Sequence, residues 1–318
     1  MTNNGLQKFK LLKLLITGAT GLVGTALIEQ TLSEGFSIHY LTTNRSKLTQ
    51  IKNTVGFFWD PETKEIDLDC FKGVDCVIHL AGASISKRWT KSYKAQILSS
   101  RVDTTRLLFS SLQKLQNQHQ VRQIITASAI GVYPSENQEV QTETTAVGPN
   151  SFMEQVVLAW EKESHSFSSL GISLATLRIG LVLSRNGGLL ESLKTPTLLG
   201  LGAAFGNGKQ GQSWIHIEDL VGIILKAYKE GWQGVYNAVS PNPVSQNELI
   251  YELAKALKRP HILPPLPKFF IQLLLGEMSN LVLDSHWVSA QKVIQASYTF
   301  KHPHLKEALE NVLKLSKR

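Results

Sequence analysis

With 318 residues, 42% of them hydrophobic and 18% charged, the chain can form one large domain or two modest ones, and it is too apolar for disorder, collagen-like sequence or low-complexity scaffold. Its two cysteines, Cys70 and Cys76, cannot build a disulfide framework or a four-cysteine zinc site, which fits a reducing compartment and a cytoplasmic location. The net charge of +8 is mild, and the ten basic and five acidic side chains of residues 250–318 alternate singly with apolar ones, so no specific nucleic-acid partner is expected.

Lys8, Lys10 and Lys13 followed by an apolar run imitate a signal peptide, but Gly18, Gly21 and Gly24 interrupt that run. A strand over 14–17 followed by a phosphate-binding turn and a helix to about residue 34 explains the segment better. Further strands are predicted over 38–41, 55–59, 76–80, 123–127 and 173–179, with helices near 92–116 and 150–167. Apolar strands alternating with helices indicate a parallel sheet covered on both faces, a Rossmann-like doubly wound α/β fold. Past Arg178 come Gly187-Gly188, a glycine-rich stretch over 200–211 and the prolines Pro260, Pro264, Pro265 and Pro267, which read as loop and lid signals. Two short strands are expected at 214–217 and 235–238, and amphipathic helices at 248–257 and 306–315. The expected division is a nucleotide-binding domain of 11–182 and 212–240 with a smaller substrate lobe of 183–211 and 241–318. The triplet Phe269-Phe270-Ile271 reads as core, or, if it forms an exposed apolar patch, as a site for a protein partner. Apart from the run that opens the chain, no stretch reaches the length of a membrane span.

The segment Thr17-Gly18-Ala19-Thr20-Gly21-Leu22-Val23-Gly24 follows the first strand and opens a helix. One glycine permits the tight turn, another lets the backbone approach a pyrophosphate, and the third allows close helix–sheet packing. An acidic residue at the end of the second strand would select NAD by accepting from the ribose 2′-hydroxyl. Here that segment reads Leu41-Thr42-Thr43-Asn44-Arg45-Ser46-Lys47. Its hydroxyls and cations suit a 2′-phosphate and favour NADP(H) over NAD(H), although Arg45 and Lys47 also suit a solvated helix start.

Taken with Trp59-Asp60-Pro61, Leu80-Ala81-Gly82, Arg88-Trp89-Thr90, Ser99-Ser100-Arg101-Val102, Ser128-Ala129-Ile130-Gly131-Val132-Tyr133, Leu177-Arg178-Ile179-Gly180, residues 214–220 and Gly276-Glu277, the chain resembles an atypical extended short-chain dehydrogenase/reductase of the NAD(P)-dependent epimerase family with an uncharacterised C-terminal domain. The resemblance implies a dinucleotide over residues 18–24. It also implies that Trp59 and Asp60 flank the adenine and that Leu80, Ala81, Gly82 and Ala83 line the path to the nicotinamide ribose. Related members commonly carry arginine at the place of Thr43, and this chain departs from that pattern.

The superfamily's Tyr and Lys, four apart on one helix, are missing: the corresponding helix offers Phe152 and Val156 in one register, Met153 and Val157 in the other. Ser128 is the remaining superfamily candidate, with Ala129 at the serine position if the alignment is anchored on Val132-Tyr133. Ser128 either acts in catalysis or caps a strand end. Tyr133 either replaces the lost phenol or packs its ring. His216 is either an acid/base or a satisfied structural histidine. Arg101, like Glu154 and Glu161, reads as a helix-surface or buried ion-pair residue, and Arg101 could also meet a substrate anion. No metal-ligand spacing is present among the nine histidines. The leading reading is an NADP(H)-binding oxidoreductase or epimerase-like enzyme transferring hydride to or from an unidentified small substrate. The competing reading is a non-catalytic NADP(H) sensor acting through a protein partner. The expected partners are a small-molecule substrate and at most a second copy of the chain, with no membrane.

Overall fold

The computed structural model describes residues 12–135 and 139–313. Lys8, Lys10 and the last two positions of the expected 306–315 helix lie outside them. The first half of the chain supplies β1 (Lys13–Thr17), α1 (Leu22–Ser33), β2 (Ser37–Thr42), β3 (Val55–Asp60), β4 (Glu65–Ile66), β5 (Cys76–His79), α2 (Lys91–Leu115), β6 (Gln123–Ala129) and α3 (Phe152–His165). The second half supplies β7 (Ser173–Ile179), β8 (Leu181–Leu183), α4 (Leu189–Leu198), β9 (Gly211–Gln212), β10 (Trp214–His216), α5 (Ile217–Lys229), β11 (Gly234–Ala238), β12 (Val244–Ser245), α6 (Gln246–Ala256), α7 (Lys268–Leu275), α8 (Asn280–Leu283), α9 (Gln291–Gln295) and α10 (Leu305–Leu313).

Eight strands form one sheet in the order β11-β7-β6-β5-β1-β2-β3-β4, parallel throughout except where β4 turns back on β3. Alternate residues of β1 serve opposite faces. Leu14 and Ile16 pack with Leu27 and Ile28 of α1 and Leu220 and Ile224 of α5. Leu15 packs with Leu107, Leu108 and Leu112 of α2. Because both faces are covered, the inner strands are apolar almost without interruption. Strand β1 lies between β2 and β5, so the chain order reverses beside it. The crevice at the carboxyl ends of strands flanking such a reversal is where sheets of this kind take their ligands.

A separate core gathers Leu183, Leu190, Leu193, Trp214, Val244, Leu249, Leu253 and Leu309 from β8, α4, β10, β12, α6 and α10. Trp214 belongs to this second core, while its neighbour Ile215 packs in the core of the sheet, so residues 212–240 contribute to both. The strand expected over 214–217 ends at His216, and Ile217 begins α5. The polar start of that helix explains the difference: His216 accepts from the Glu218 N–H, and Glu218 and Asp219 occupy the first turn, where acidic side chains favour a helix.

Phe269 and Phe270, read from the sequence as core, are exposed at 69% and 41%, and Leu273 and Leu274 at 79% and 64%. Within α7 only Ile271 is buried. The apolar run follows helical spacing, but nothing among the described residues covers its outer face.

Candidate functional site

The glycine-rich turn is shaped by contacts that a side chain would block. Gly18 has φ +68°, a left-handed conformation, and a Cβ on it would stand 2.8 Å from the Leu80 carbonyl carbon and oxygen. A Cβ on Gly24 would stand 2.2 Å from the Gly18 oxygen, so α1 can approach the turn only because residue 24 has none. Gly21 caps α1 without a side-chain hydrogen bond, and no acidic residue lies in the first turn. By contrast, Thr90, Ser151, His216 and Ser245 each cap their helices with a side chain. The first N–H groups of α1, at Leu22 and Val23, are thereby left for an external anion at the positive end of the helix. Ala19 is buried, Thr20 is exposed, and the cradle fits a dinucleotide pyrophosphate.

Beneath the turn lies a buried lock that sequence reasoning missed. Thr17 Oγ1 accepts from the N–H groups of Leu80 (3.1 Å) and Ala81 (3.0 Å), so its own proton goes to His79 Nδ1 at 2.8 Å. The His79 proton then sits on Nε2 and is donated to Thr105 Oγ1 at 3.0 Å, and Thr105 donates to the Arg101 carbonyl at 2.6 Å. His79 is fully buried, and burial pushes its pKa down to about 3, which keeps the imidazole neutral. Three elements, β1, β5 and α2, are thus fixed to the loop Leu80-Ala81-Gly82-Ala83. Ala83 completes the attachment by donating to Ser100 Oγ at 2.9 Å.

At the end of β2, Thr42 Oγ1 accepts from the Asn44 N–H, while Thr43 and Arg45 are exposed. The Arg45 guanidinium lies 3.6 Å from the centroid of the Phe58 ring and donates to Glu65 at 2.9 Å. Stacking fixes the plane of the fork and leaves its edges for hydrogen bonding. Trp59 does not face the crevice: it is 3% exposed and packs with Leu15, Leu41 and Phe71. Its alternation with Phe58 along β3 turns the indole inward, so at this strand end Arg45, Phe58 and Asp60 form the surface. Asp60 accepts from the Glu62 N–H at 2.9 Å, shaping the turn into β4.

Ser128, Arg178 and Asn237 are register neighbours on β6, β7 and β11 and share one face of the sheet. Ser128 donates to Glu161 of α3, and Arg178 grips both Glu161 oxygens at 2.9 and 2.8 Å. Arg178 also donates to the Tyr133 hydroxyl at 3.0 Å, and that hydroxyl donates to Asn237 at 2.7 Å. Burial works against the Arg178 charge, but the bonds to Glu161 more than offset it, and the guanidinium stays protonated. Burial likewise raises the Tyr133 pKa, opposed by Arg178. Ser128 (4% exposed) and Tyr133 (0%) are thus brought together in one satisfied network. At the start of α3, Phe152 meets Trp89 edge-on at 5.1 Å and lies under Lys94, whose Nζ is 4.5 Å from the ring.

His216 stands apart from this network. Its Nδ1 accepts from Glu218 N–H, its Nε2 donates to Asn311 Oδ1 at 3.2 Å, and its ring lies tilted against His302, with centroids 3.8 Å apart. Burial first, and then the His302 charge, lower its pKa to about 4. His216, Glu218 and His302 come within 4.8 Å of one another, but a histidine with both nitrogens engaged offers an ion no lone pair. His216 borders a groove of about 1060 Å³ between α1 and α5. That groove shares only Thr20, Gly21 and Leu22 with the residues expected around the dinucleotide. The sequence motifs contained Arg178, but not its link to Tyr133 and Asn237, because only the strand register aligns them.

Residues 14–238 match the NAD dependent epimerase/dehydratase family, and residues 266–312 match a domain of unknown function, DUF1731. An epimerase family protein of Staphylococcus saprophyticus is 37% identical over 306 residues, 94% of this chain and 98% of its own. The crystal structure of the human epimerase family protein SDR39U1 with NADPH superposes with a TM-score of 0.81 at 25% identity, covering 95% of this chain and 99% of that one. A nucleoside-diphosphate sugar epimerase of Corynebacterium glutamicum, 30% identical with a TM-score of 0.75, is matched over 95% of this chain but 58% of its own length. The turn after β1 is therefore part of a likeness that runs almost end to end, and the chain belongs to the NAD dependent epimerase/dehydratase family, as an extended short-chain dehydrogenase/reductase with a DUF1731 C-terminal region.

Proposed function

We propose that the protein binds NADP(H) in preference to NAD(H) across Gly18–Gly24, Thr43, Arg45 and Leu80–Ala83, and acts as an oxidoreductase or epimerase on a small substrate. The observation that carries this reading is the end of β2: residues 41–47 contain no carboxylate, and Arg45 is stacked on Phe58, with one terminal nitrogen bonded to Glu65 and the rest of the fork able to take a 2′-phosphate. When bound, the nicotinamide supplies the hydride chemistry. The chain's own residues hold the pyrophosphate on the amides of α1, fix the loop after β5 through Thr17 and His79, and set a polar row at Ser128 beside the reacting end. Ser128 is the residue proposed to face the substrate, with Glu161 as its proton acceptor. Tyr133 and Arg178 position that pair, and His216 holds the start of α5. The human relative crystallised with NADPH supports the choice of nucleotide. The cytoplasm is the proposed location, in keeping with two buried free cysteines.

Arg45→Ala is expected to weaken NADPH binding about tenfold or more, as loss of a charge-assisted bond does, and to leave NADH almost unchanged. Equal losses for both nucleotides in a titration would remove Arg45 from phosphate recognition. The exposed apolar face of α7 favours a second reading, in which nucleotide occupancy is passed to a protein partner.

A further inference from the structure

Arg101 lies on α2 at the carboxyl edge of the sheet, one helical turn before Thr105 of the His79 lock. A Cβ on Gly82 would stand 3.1 Å from its guanidinium carbon and 3.3 and 3.4 Å from the two terminal nitrogens, so the fork lies flat beneath the glycine. Its carbon is 5.3 Å from the Trp160 ring. One terminal nitrogen donates to the Ile97 carbonyl at 2.9 Å. Among the described residues no carboxylate comes within ion-pair distance, and burial lowers the Arg101 pKa to about 10 without removing the charge at neutral pH. Glu161, the neighbour of Trp160 in sequence, gives both oxygens to Arg178 and one of them also to Ser128.

A second donor is unfilled in the same place. Trp160 is 5% exposed, and its buried Nε1–H has no hydrogen-bond partner. Buried donors in folded proteins are ordinarily satisfied, and a half-buried cation is ordinarily paired. Here the planar fork beneath Gly82 adjoins the Trp160 ring, whose N–H is unpaired, and neither group has a carboxylate partner among the described residues. Gly82 is exposed, so the site opens on the cofactor path.

We infer that Arg101, with the Trp160 N–H beside it, is a built oxyanion site, and that the substrate handled next to the nicotinamide carries a carboxylate or phosphate group which this fork clasps. The inference rests on the proposed function for the identity of the occupant, but the site itself requires no nucleotide. A fork held by its faces presents only its edges, the geometry that suits bidentate binding of a carboxylate or phosphate. The bare Gly82 lets the guanidinium lie close under the backbone, where a Cβ would press on it at 3.1–3.4 Å.

The test titrates the full chain, with and without saturating NADP, against inorganic phosphate and against acetate, with chloride at equal ionic strength as the baseline, following thermal midpoint and tryptophan emission. Wild type is expected to respond to at least one of the two anions beyond chloride, and whichever acts names the group. Arg101→Met is expected to weaken that anion about tenfold or more, Arg101→Lys to restore part of the loss, and Trp160→Phe to weaken it by a smaller factor while the fold is retained. No response beyond chloride, or an unchanged response in Arg101→Met, would overturn the site. Loss of NADPH affinity in Arg101→Met with anion binding intact would assign Arg101 to the cofactor instead. If wild type fails to bind NADPH yet binds the anion through Arg101, the nucleotide reading falls and the oxyanion site stands.

Discussion

His79, His216 and His286 carry the same acid liability at the scale of single residues. Burial lowers their pKa values to about 3, 4 and 4, below the ordinary value of 6.5. The unfolded chain therefore binds protons first as the pH falls, and the stability these residues contribute is complete above about pH 6.5 and lost on the way down to about 4 and 3. His216→Asn keeps a capping side chain at the start of α5 while removing one of the three groups. It is expected to reduce the dependence of unfolding free energy on pH by up to about 1.4 kcal/mol per unit in that window, measured by urea midpoints between pH 6.5 and 4.5. An undiminished slope would mean that His216 does not titrate as its surroundings dictate. Gly21 gives a second test at this scale. Its φ is −79° and a Cβ would meet only the Gly18 oxygen at 3.2 Å, so Gly21→Asp should fold. The added carboxylate would lie where the pyrophosphate belongs, and loss of NADPH affinity by a hundredfold or more, about 2.7 kcal/mol or more, is expected. Undiminished affinity in folded Gly21→Asp would move the nucleotide elsewhere.

Pairing of β6 with β7, and of β7 with α3, makes the Arg178–Glu161 contact the polar tie between these elements, with side-chain exposures of 6% and 16%. Removing one partner leaves an uncompensated buried charge, so Arg178→Met is expected to cost about 3–5 kcal/mol, measured by chemical denaturation. The double variant Arg178→Met with Glu161→Leu should recover much of that loss. If the double variant loses the sum of the two single losses, the pair is not coupled. The strands β1, β2, β3, β5, β6 and β7 and the helices α1, α2 and α3 were legible because each is long, apolar and periodic, whereas the short β4 and β8 and helix α4, which follows a glycine pair, were not; the glycine-rich turn was legible because its spacing is set by sterics. Helix α5 was not, because the apolar residues Trp214, Ile215 and Ile217 continue a strand-like pattern into a helix whose start is decided by the His216 cap. The Thr17–His79–Thr105 lock was illegible for a different reason: its members are 62 and 26 residues apart in sequence, and nothing local in Thr or His signals a partner.

For the whole molecule, burial separates what is shared from what is individual. The sheet and its covering helices place a dinucleotide cradle at the reversal beside β1, while the smaller core around Trp214 and Leu249 and the outer face of α7 are built for something the cradle alone does not supply. Phe269 and Phe270 mislead a sequence reading because helical periodicity shows which side chains share a face and not whether that face is covered. The candidate catalytic serine and tyrosine were legible as residues, but their mutual connection through Glu161, Arg178 and Asn237 emerges only from three parallel strands in register. The measurement to make first is isothermal titration of the full chain with NADPH, NADP, NADH and NAD at one salt concentration. Tight binding of NADPH and NADP with at least about tenfold weaker binding of NADH and NAD is expected from Arg45 and the carboxylate-free end of β2. Equal or tighter binding of NADH, or no binding of any of the four to folded protein, would contradict the proposed function.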